Sequence, residues 1–421
     1  MTATPAVAPA PAPEAPPRSW PGLDEASRVD TCEREPVFLV PGKNGSRLRL
    51  TGSALRLLRL RSTGVTAEAI AEALSRKGSA TTAEQVETRY RQLLERIDRI
   101  EAAATDNPMG FWFRFRLLPE AWVARIAAHL GAAFQPRVAA VLLTLVVAAG
   151  AGLAALHPPG DWSGVSFWLG YGLLLVSVVF HELGHASACA YFGVRPSEIG
   201  ATLYLIYPAL YSDVSAAWEL PRRQRVVVDL GGLYFQLVVA ALYAGAYAVT
   251  RWEPLWVAIL MILGGAVFSV NPIFKFDGYW VVADALGVLN LSRQPSRIVG
   301  HYWRRLRGRP VERLPWSPAV TSTLAVYSVL SFTIWGWFLW RIGPRIVSLV
   351  ATLPPQVAGF ASGSGEVALS SLLMSAAMAL LTLFISWRLL RSLLIRPLLD
   401  AARRWRQRRQ AAMAAATTEV P

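Results

Sequence analysis

Cysteine is nearly missing from this chain of 421 residues, which has only Cys32 and Cys189. One lies in a polar stretch and the other in an apolar run, so a disulfide framework is excluded as the source of stability. Charge is scarce as well. Asp, Glu, Lys and Arg make up 17% of the residues, where a soluble domain carries about 25%. Hydrophobic residues reach 53%, with 16 tryptophans, and mean hydropathy is +0.36. That balance excludes an ordinary water-soluble globule and predicts a membrane protein. The opening "MTATPAVAPAPAPEAPP" lacks the basic residues and apolar core of a signal peptide. Its Pro/Ala bias predicts a disordered tail over residues 1–36. The formal net charge is +14, yet no nucleic-acid partner is expected. The basic residues gather beside apolar runs, where they set membrane orientation.

Residues 37–104 read as a small α+β domain. "PVFLVPGKNGSRLRL" has two short apolar runs around Gly42 to Gly45, which predicts a β-hairpin. Thr51 or Ser53 is placed to cap a helix over "ALRLLRLR", and Thr66 precedes "AEAIAEALSRKG", a helix with a glycine stop. Thr81 or Thr82 precedes a third helix, with apolar Val86, Leu93, Leu94, Ile97 and Ile100. A hairpin with three helices is a winged-helix-like unit. Residues 105–136 are aromatic and basic. "FWFRFRLLPEAWVARIAAHL" predicts an amphipathic helix lying on the membrane surface, and His129 within it reads as an interfacial residue.

Six long apolar segments follow, at about Val138–Leu156, Val165–Phe192, Val226–Val249, Pro254–Phe274, Ala319–Trp340 and Val367–Leu394. Roughly 20 residues cross a bilayer, so the expectation is a mainly α, polytopic fold with about six spans over residues 137–396. The connections differ in charge. "HPPGDWSG", after the first segment, has no Lys or Arg. Arg195, Arg222, Arg223 and Arg225 lie between the second and third, and seven arginines from Arg293 to Arg313 follow the fourth. The tail 397–421 contains "ARRWRQRR". Positive loops stay in the cytoplasm, which places both termini inside.

Histidine is rare too, with 5 in the chain, but 2 of them stand four residues apart in "HELGH". His181 and His185 at i and i+4 share one helix face, a two-point clamp for zinc. Glu182 beside them can take a proton from water that the metal has acidified. Such groups are costly inside an apolar span, and their ligand spacing argues for zinc over a satisfied polar helix end. Cys189 falls on the same face and reads as a small packed residue. A catalytic zinc takes about three protein ligands plus water. His157 lies at the far end of the first span, and His301 has no motif around it. Asp277 in "NPIFKFDGYW" is the better third ligand, since the second and fourth spans run in one direction and end at one membrane face. Taken alone, Asp277-Gly278 reads as an interfacial turn. Lys275 reads as snorkelling to the interface, and Tyr279 and Trp280 as part of an aromatic belt.

"HELGH" in a span, followed by "NP" and "DG" about ninety residues on, resembles the site-2 protease family of membrane zinc metalloproteases. Within it, the bacterial peptide zinc metalloproteases are most similar, sharing a stretch like "YPALYSDVSAAWELPRRQR" (Tyr207 to Arg225). The resemblance covers about Phe167 to Leu291. It implies Zn2+ held by His181, His185 and Asp277, Glu182 as catalytic base, and Asn271 holding the substrate backbone or oxyanion. It implies a bacterial inner-membrane location and a membrane-associated or leader-bearing peptide as substrate. Two departures touch substrate positioning. Phe274 follows Ile273 where the family often has a second proline, and Gln236, four residues after Gly232, replaces the usual asparagine as a substrate-binding amide. The N-terminal domain resembles the PqqD-type fold, which implies leader-peptide binding by strand addition. Residues 200–218, apolar but broken by Pro208 and Asp213, predict a re-entrant hairpin beside the zinc. The alternative is a non-proteolytic membrane component of a peptide export, maturation or immunity system. A transporter is disfavoured, because the spans show no internal repeat.

Overall fold

A computed structural model describes residues 21–42, 47–76, 78–106, 114–155, 167–204, 207–311, 313–361 and 387. The chain divides into two compact units, Met1–Ser328 and Val329–Pro421. The first unit opens with an antiparallel sheet ordered β1 (Ser27–Val29), β2 (Val37–Pro41), β3 (Arg47–Thr51). Helices α1 (Gly52–Ser62), α2 (Ala67–Ser75) and α3 (Ala83–Asp106) follow. The hairpin and three helices expected from sequence are therefore present. Ordered structure extends upstream of residue 37, where a disordered tail was expected: β1 pairs with β2, and Leu23 is buried in the core.

Local chemistry explains where these helices begin. The Thr51 hydroxyl accepts from the Ala54 N–H at 3.3 Å, and Thr66 does the same for Ala69. Thr82 accepts from Gln85 N–H while Gln85 Oε1 accepts from Thr82 N–H, a reciprocal capping box. Gly78, at φ +81°, takes the left-handed turn after α2. Leu48, Leu50, Leu55, Leu58, Tyr90 and Ile97 close the core. Ile100 is exposed near the end of α3.

The apolar part carries α4 (Glu120–Leu130), α5 (Pro136–Ala155), α6 (Phe167–Tyr191), α7 (Arg222–Thr250), α8 (Glu253–Ser269), α9 (Asp277–Leu286), α10 (Gln294–Leu306) and α11 (Pro318–Ala361). Four helical stretches are long and apolar enough to cross a membrane: Pro136–Ala154, α6, α7 and Pro318–Trp337. They mark a membrane protein. The expected fourth span is a shorter apolar helix, since α8 is 17 residues long and stops at Ser269. Pro272 disfavours helical backbone at Asn271, whose Oδ1 instead accepts from the Ile273 N–H at 2.9 Å. The sixth expected span and the basic tail lie outside the described residues, apart from Trp387. The second unit is described as the rest of α11 and that residue.

The stretch expected as one surface helix splits. Arg114–Leu118 is strand β4 and only then does α4 begin. β4 pairs with β5 (Ile199–Tyr204), which pairs with β6 (Tyr207–Ser212), giving a three-stranded antiparallel sheet. Cross-strand pairing overrides the helical pattern, with Arg116 Nε 2.7 Å from the Glu198 carboxylate on the segment entering β5. Where a re-entrant hairpin was expected over residues 200–218, β5 and β6 form a β-hairpin and Ser215–Glu219 is a short 3-10 helix. Ile199, Val123 and Ala127 pack with Leu183 and Ala186, so the sheet and α4 lie against the motif-bearing half of α6.

α6 and α7 touch backbone to backbone. A Cβ at Gly184 would lie 2.2 Å from the Gly231 carbonyl oxygen, and one at Gly231 would lie 2.7 Å from the Gly184 oxygen. Small residues allow this approach between membrane helices. Replacing Gly184 by Ala forces the helices apart. A loss of about 2 kcal/mol is expected for such overpacking, read as a lower melting temperature of the detergent-solubilised chain.

Candidate metal centre

α6 presents His181 and His185 one turn apart, with ring centroids 4.8 Å from each other. α9 brings Asp277 to the same place. The His181 and His185 Nε2 atoms are 3.2 Å apart. Asp277 Oδ2 lies 3.1 Å from His181 Nε2, and Oδ1 lies 3.6 Å from His185 Nε2. One ligand atom from each of the three falls within 4.8 Å of the others. The structure thus gathers the three residues named from sequence as ligands.

Hydrogen bonds assign the ring tautomers. His185 Nδ1 donates to the Val228 carbonyl at 2.7 Å, which can only accept. For His181 the chain of donors starts one turn away on α6, at Ser177. Ser177 Oγ donates to the Leu174 carbonyl, so it accepts from Gln236 Nε2 at 3.3 Å. That turns Gln236 Oε1 toward His181 Nδ1, which donates across 3.2 Å. Both rings therefore keep a lone pair on Nε2, and both lone pairs face Asp277. Two lone pairs and a carboxylate aimed at one point repel each other unless a cation shares them. Two imidazoles and one carboxylate are the donor set of an open zinc site, so these residues fit the metal.

Asp277 is the first residue of α9, where the helix dipole favours an anion. Ser269 Oγ donates to its Oδ2 at 2.9 Å. The following glycine has a steric cause. A Cβ at Gly278 would sit 2.0 Å from the Val270 carbonyl oxygen, so α9 could not fold back onto the end of α8 with any other residue. Asp277-Gly278 is therefore a tightly packed helix start.

Glu182, next to His181 on α6, reaches the end of the sheet. It is buried, and its Oε2 accepts from Ser212 Oγ, at the end of β6, at 2.9 Å. Gly232 makes room for the centre, since a Cβ there would lie 2.4 Å from His185 Nε2 and 2.6 Å from His181 Nε2.

No family model matches this chain, and no solved structure does. One similarity to a curated protein stands out. "Putative peptide zinc metalloprotease protein YydH" of Bacillus subtilis (strain 168) is 26% identical over 121 residues, covering 28% of this chain and 48% of that protein. The chain thus spans about half the length of this relative. The likeness is to a zinc metalloprotease, in keeping with the donor set.

The remaining residues singled out from sequence sort by their surroundings. Gln236, expected to hold substrate, has its amide engaged by His181 and Ser177. Asn271 uses its oxygen to close the turn after α8. Cys189 is buried among Ala188, Ala217, Leu220 and Val228, as a packing residue. His129 Nδ1 donates to the Arg125 carbonyl of its own helix. His301 lies outside the metal cluster, and His157 falls outside the described residues. Lys275 and Trp280 are exposed, whereas Tyr279 is buried and its hydroxyl accepts from the Ser292 N–H at 3.1 Å, which removes it from an aromatic belt.

Sequence reading missed Arg225, Asp284 and Asp229. Arg225 is 1% exposed. Its Nε meets the Asp284 carboxylate at 3.0 Å, and its Nη atoms donate to the Leu220 and Asp30 carbonyls. Asp284 follows Asp277 by two turns of α9, so this pair ties α9 to α7 below the third ligand. The i, i+4, i+7, i+11 spacing of Arg225, Asp229, Gly232 and Gln236 was the available signal. It marks one polar stripe on an otherwise apolar helix.

Zinc analysis of the purified chain checks the centre. About one zinc per chain is expected, and Asp277→Ala should lose it. Gln236→Leu should keep the fold and weaken zinc roughly ten- to a hundredfold, because His181 loses its orienting acceptor.

Proposed function

We propose that this chain is a membrane-embedded zinc endopeptidase of the site-2 protease type. The observation that carries the reading is Glu182, held by Ser212 and next in sequence to a ligand of the three-donor centre. A structural metal site needs no such carboxylate.

Zinc, when bound, supplies Lewis acidity at the scissile carbonyl and lowers the pKa of water. The residues do the rest. His181, His185 and Asp277 would hold the ion. Glu182 takes the proton of the attacking water and later hands it to the leaving amine. Ser212 keeps the carboxylate aimed by donating to one oxygen and leaving the other free. Asn271 keeps its amide nitrogen as a donor for substrate backbone.

The substrate is an extended peptide, membrane-associated or leader-bearing. The outer edge of β6 has no strand partner among the described residues, and β6 ends at the serine that holds Glu182. A segment added to that edge would run toward the base. Presentation of the substrate by the N-terminal domain is supported by contacts of β3 with the segment after β6. β3 carries Arg49, whose guanidinium stacks 3.6 Å from the Trp218 ring, and Arg47, which pairs with Glu219, both just beyond β6. The Arg-rich connections support cytoplasmic termini and a site opening to the cytoplasmic face of a bacterial inner membrane.

Glu182→Gln is the decisive variant. It should retain zinc, lose cleavage by about a hundredfold or more, and capture uncut substrate in cells for identification. Cleavage that survives the substitution would sink the mechanism. Ser212→Ala should retain zinc and lower the turnover of the captured peptide by about tenfold.

A further inference from the structure

Helix α10 lies outside the metal centre and has no part in the proposed chemistry. Ile298 is buried, as are Gln294 and Pro295, and these anchor the helix. Val299, Tyr302, Trp303 and Leu306, at i, i+3, i+4 and i+7, are all exposed on one face. No chain segment among the described residues covers that stripe. Between residues 285 and 311 there are six arginines and no Asp or Glu. Two of them lie over aromatic rings, Arg307 at 4.5 Å from the Trp303 ring and Arg297 at 5.1 Å from the Trp316 ring.

Beside the C-terminal half of α10 is an open cavity of about 380 Å³. Its lining includes Arg34, Arg305 and Arg313 together with His301, Tyr302 and Trp316. The Arg34 N–H donates to the Pro315 carbonyl at 2.9 Å, which pins this arm of the N-terminal domain to the rim. None of the three guanidinium groups meets a carboxylate among the described residues. Pro318, which starts a stretch long enough to cross the membrane, also lines the cavity. The cavity therefore sits at the level where a span enters the headgroups.

We infer that α10 lies in the membrane interface on its Val299–Leu306 face and that the cavity binds the phosphate of an anionic phospholipid. An exposed apolar stripe flanked by arginines is the pattern of an interfacial helix. A basic pocket at the mouth of a span fits a lipid phosphate, with arginine forks matching its oxygens. Charge complementarity selects the occupant. A zwitterionic headgroup would bring its own cation into a cavity that already holds three. An acidic peptide would leave the adjacent stripe bare, whereas a phospholipid covers the stripe with acyl chain while its phosphate enters the cavity.

The test places the full chain in nanodiscs with equal phosphatidylcholine and phosphatidylglycerol and counts retained lipids by native mass spectrometry. Wild type should retain phosphatidylglycerol preferentially. The triple substitution Arg34→Gln, Arg305→Gln, Arg313→Gln should cut that preference roughly a hundredfold, at about fivefold per arginine. A control with the same loss of charge on the exposed residues Arg56, Arg89 and Arg96 should keep it. Equal behaviour of the two triple variants would overturn the proposal, because net charge alone would then explain retention. So would displacement of phosphatidylglycerol by an equal concentration of inorganic phosphate, which would mark a soluble-anion site. If the triple variant is not monodisperse on size exclusion, Arg313→Gln alone serves, with a fivefold loss expected and no change overturning it.

Discussion

The backbone contact between α6 and α7 is the constraint on which the candidate centre depends. Gly184 and Gly231 leave no space for even one methyl group between the helices. At that separation the Val228 carbonyl reaches His185, and the Gln236 amide reaches His181. With ordinary side chains at the crossing, both imidazoles would lose the acceptors that set their tautomers. Gly232 extends the same logic, since the space a side chain would fill is the space in front of the two Nε2 atoms.

The third ligand depends on a second tie. Asp277 comes from a different helix, and that helix is held by Gly278 against Val270 and by Asp284 against Arg225. Arg225 also donates to the Asp30 carbonyl, and Arg222 pairs with the Asp30 carboxylate at 3.1 Å. The polar N-terminal arm is thus joined, through one buried guanidinium, to the helix that carries Asp277. Burying such a charge is expensive unless it is paired, and the partners of Arg225 come from three separate segments.

Much of this was legible in the residues. The i, i+4 spacing of His181 and His185 placed two imidazoles on one face, because an α-helix has no other way to arrange them. The threonines before α1, α2 and α3 marked the starts of those helices, since hydroxyl capping is local chemistry. Asp277 could be chosen because the direction of apolar segments follows from charge asymmetry alone. Less legible was the Phe111–Leu118 stretch, read as helix. Its apolar and basic residues suit either period, and only pairing with β5 decides for the strand at residues 114–118. The end of α8 is also hidden in the sequence, because hydropathy runs on past Pro272 where the helix stops at Ser269.

Sequence by itself determined the membrane character, the donor types and their local spacing, since each follows from composition or from a fixed helical period. Tertiary structure alone decided which groups stand beside those donors. Gln236 turns to His181, Ser212 reaches Glu182 from a strand thirty residues on, and Arg225 meets Asp284 across two helices. Such partners are set by how closely helices approach and how strands register. Those distances depend on the absence of side chains at Gly184, Gly231 and Gly278 as much as on the residues that carry the chemistry.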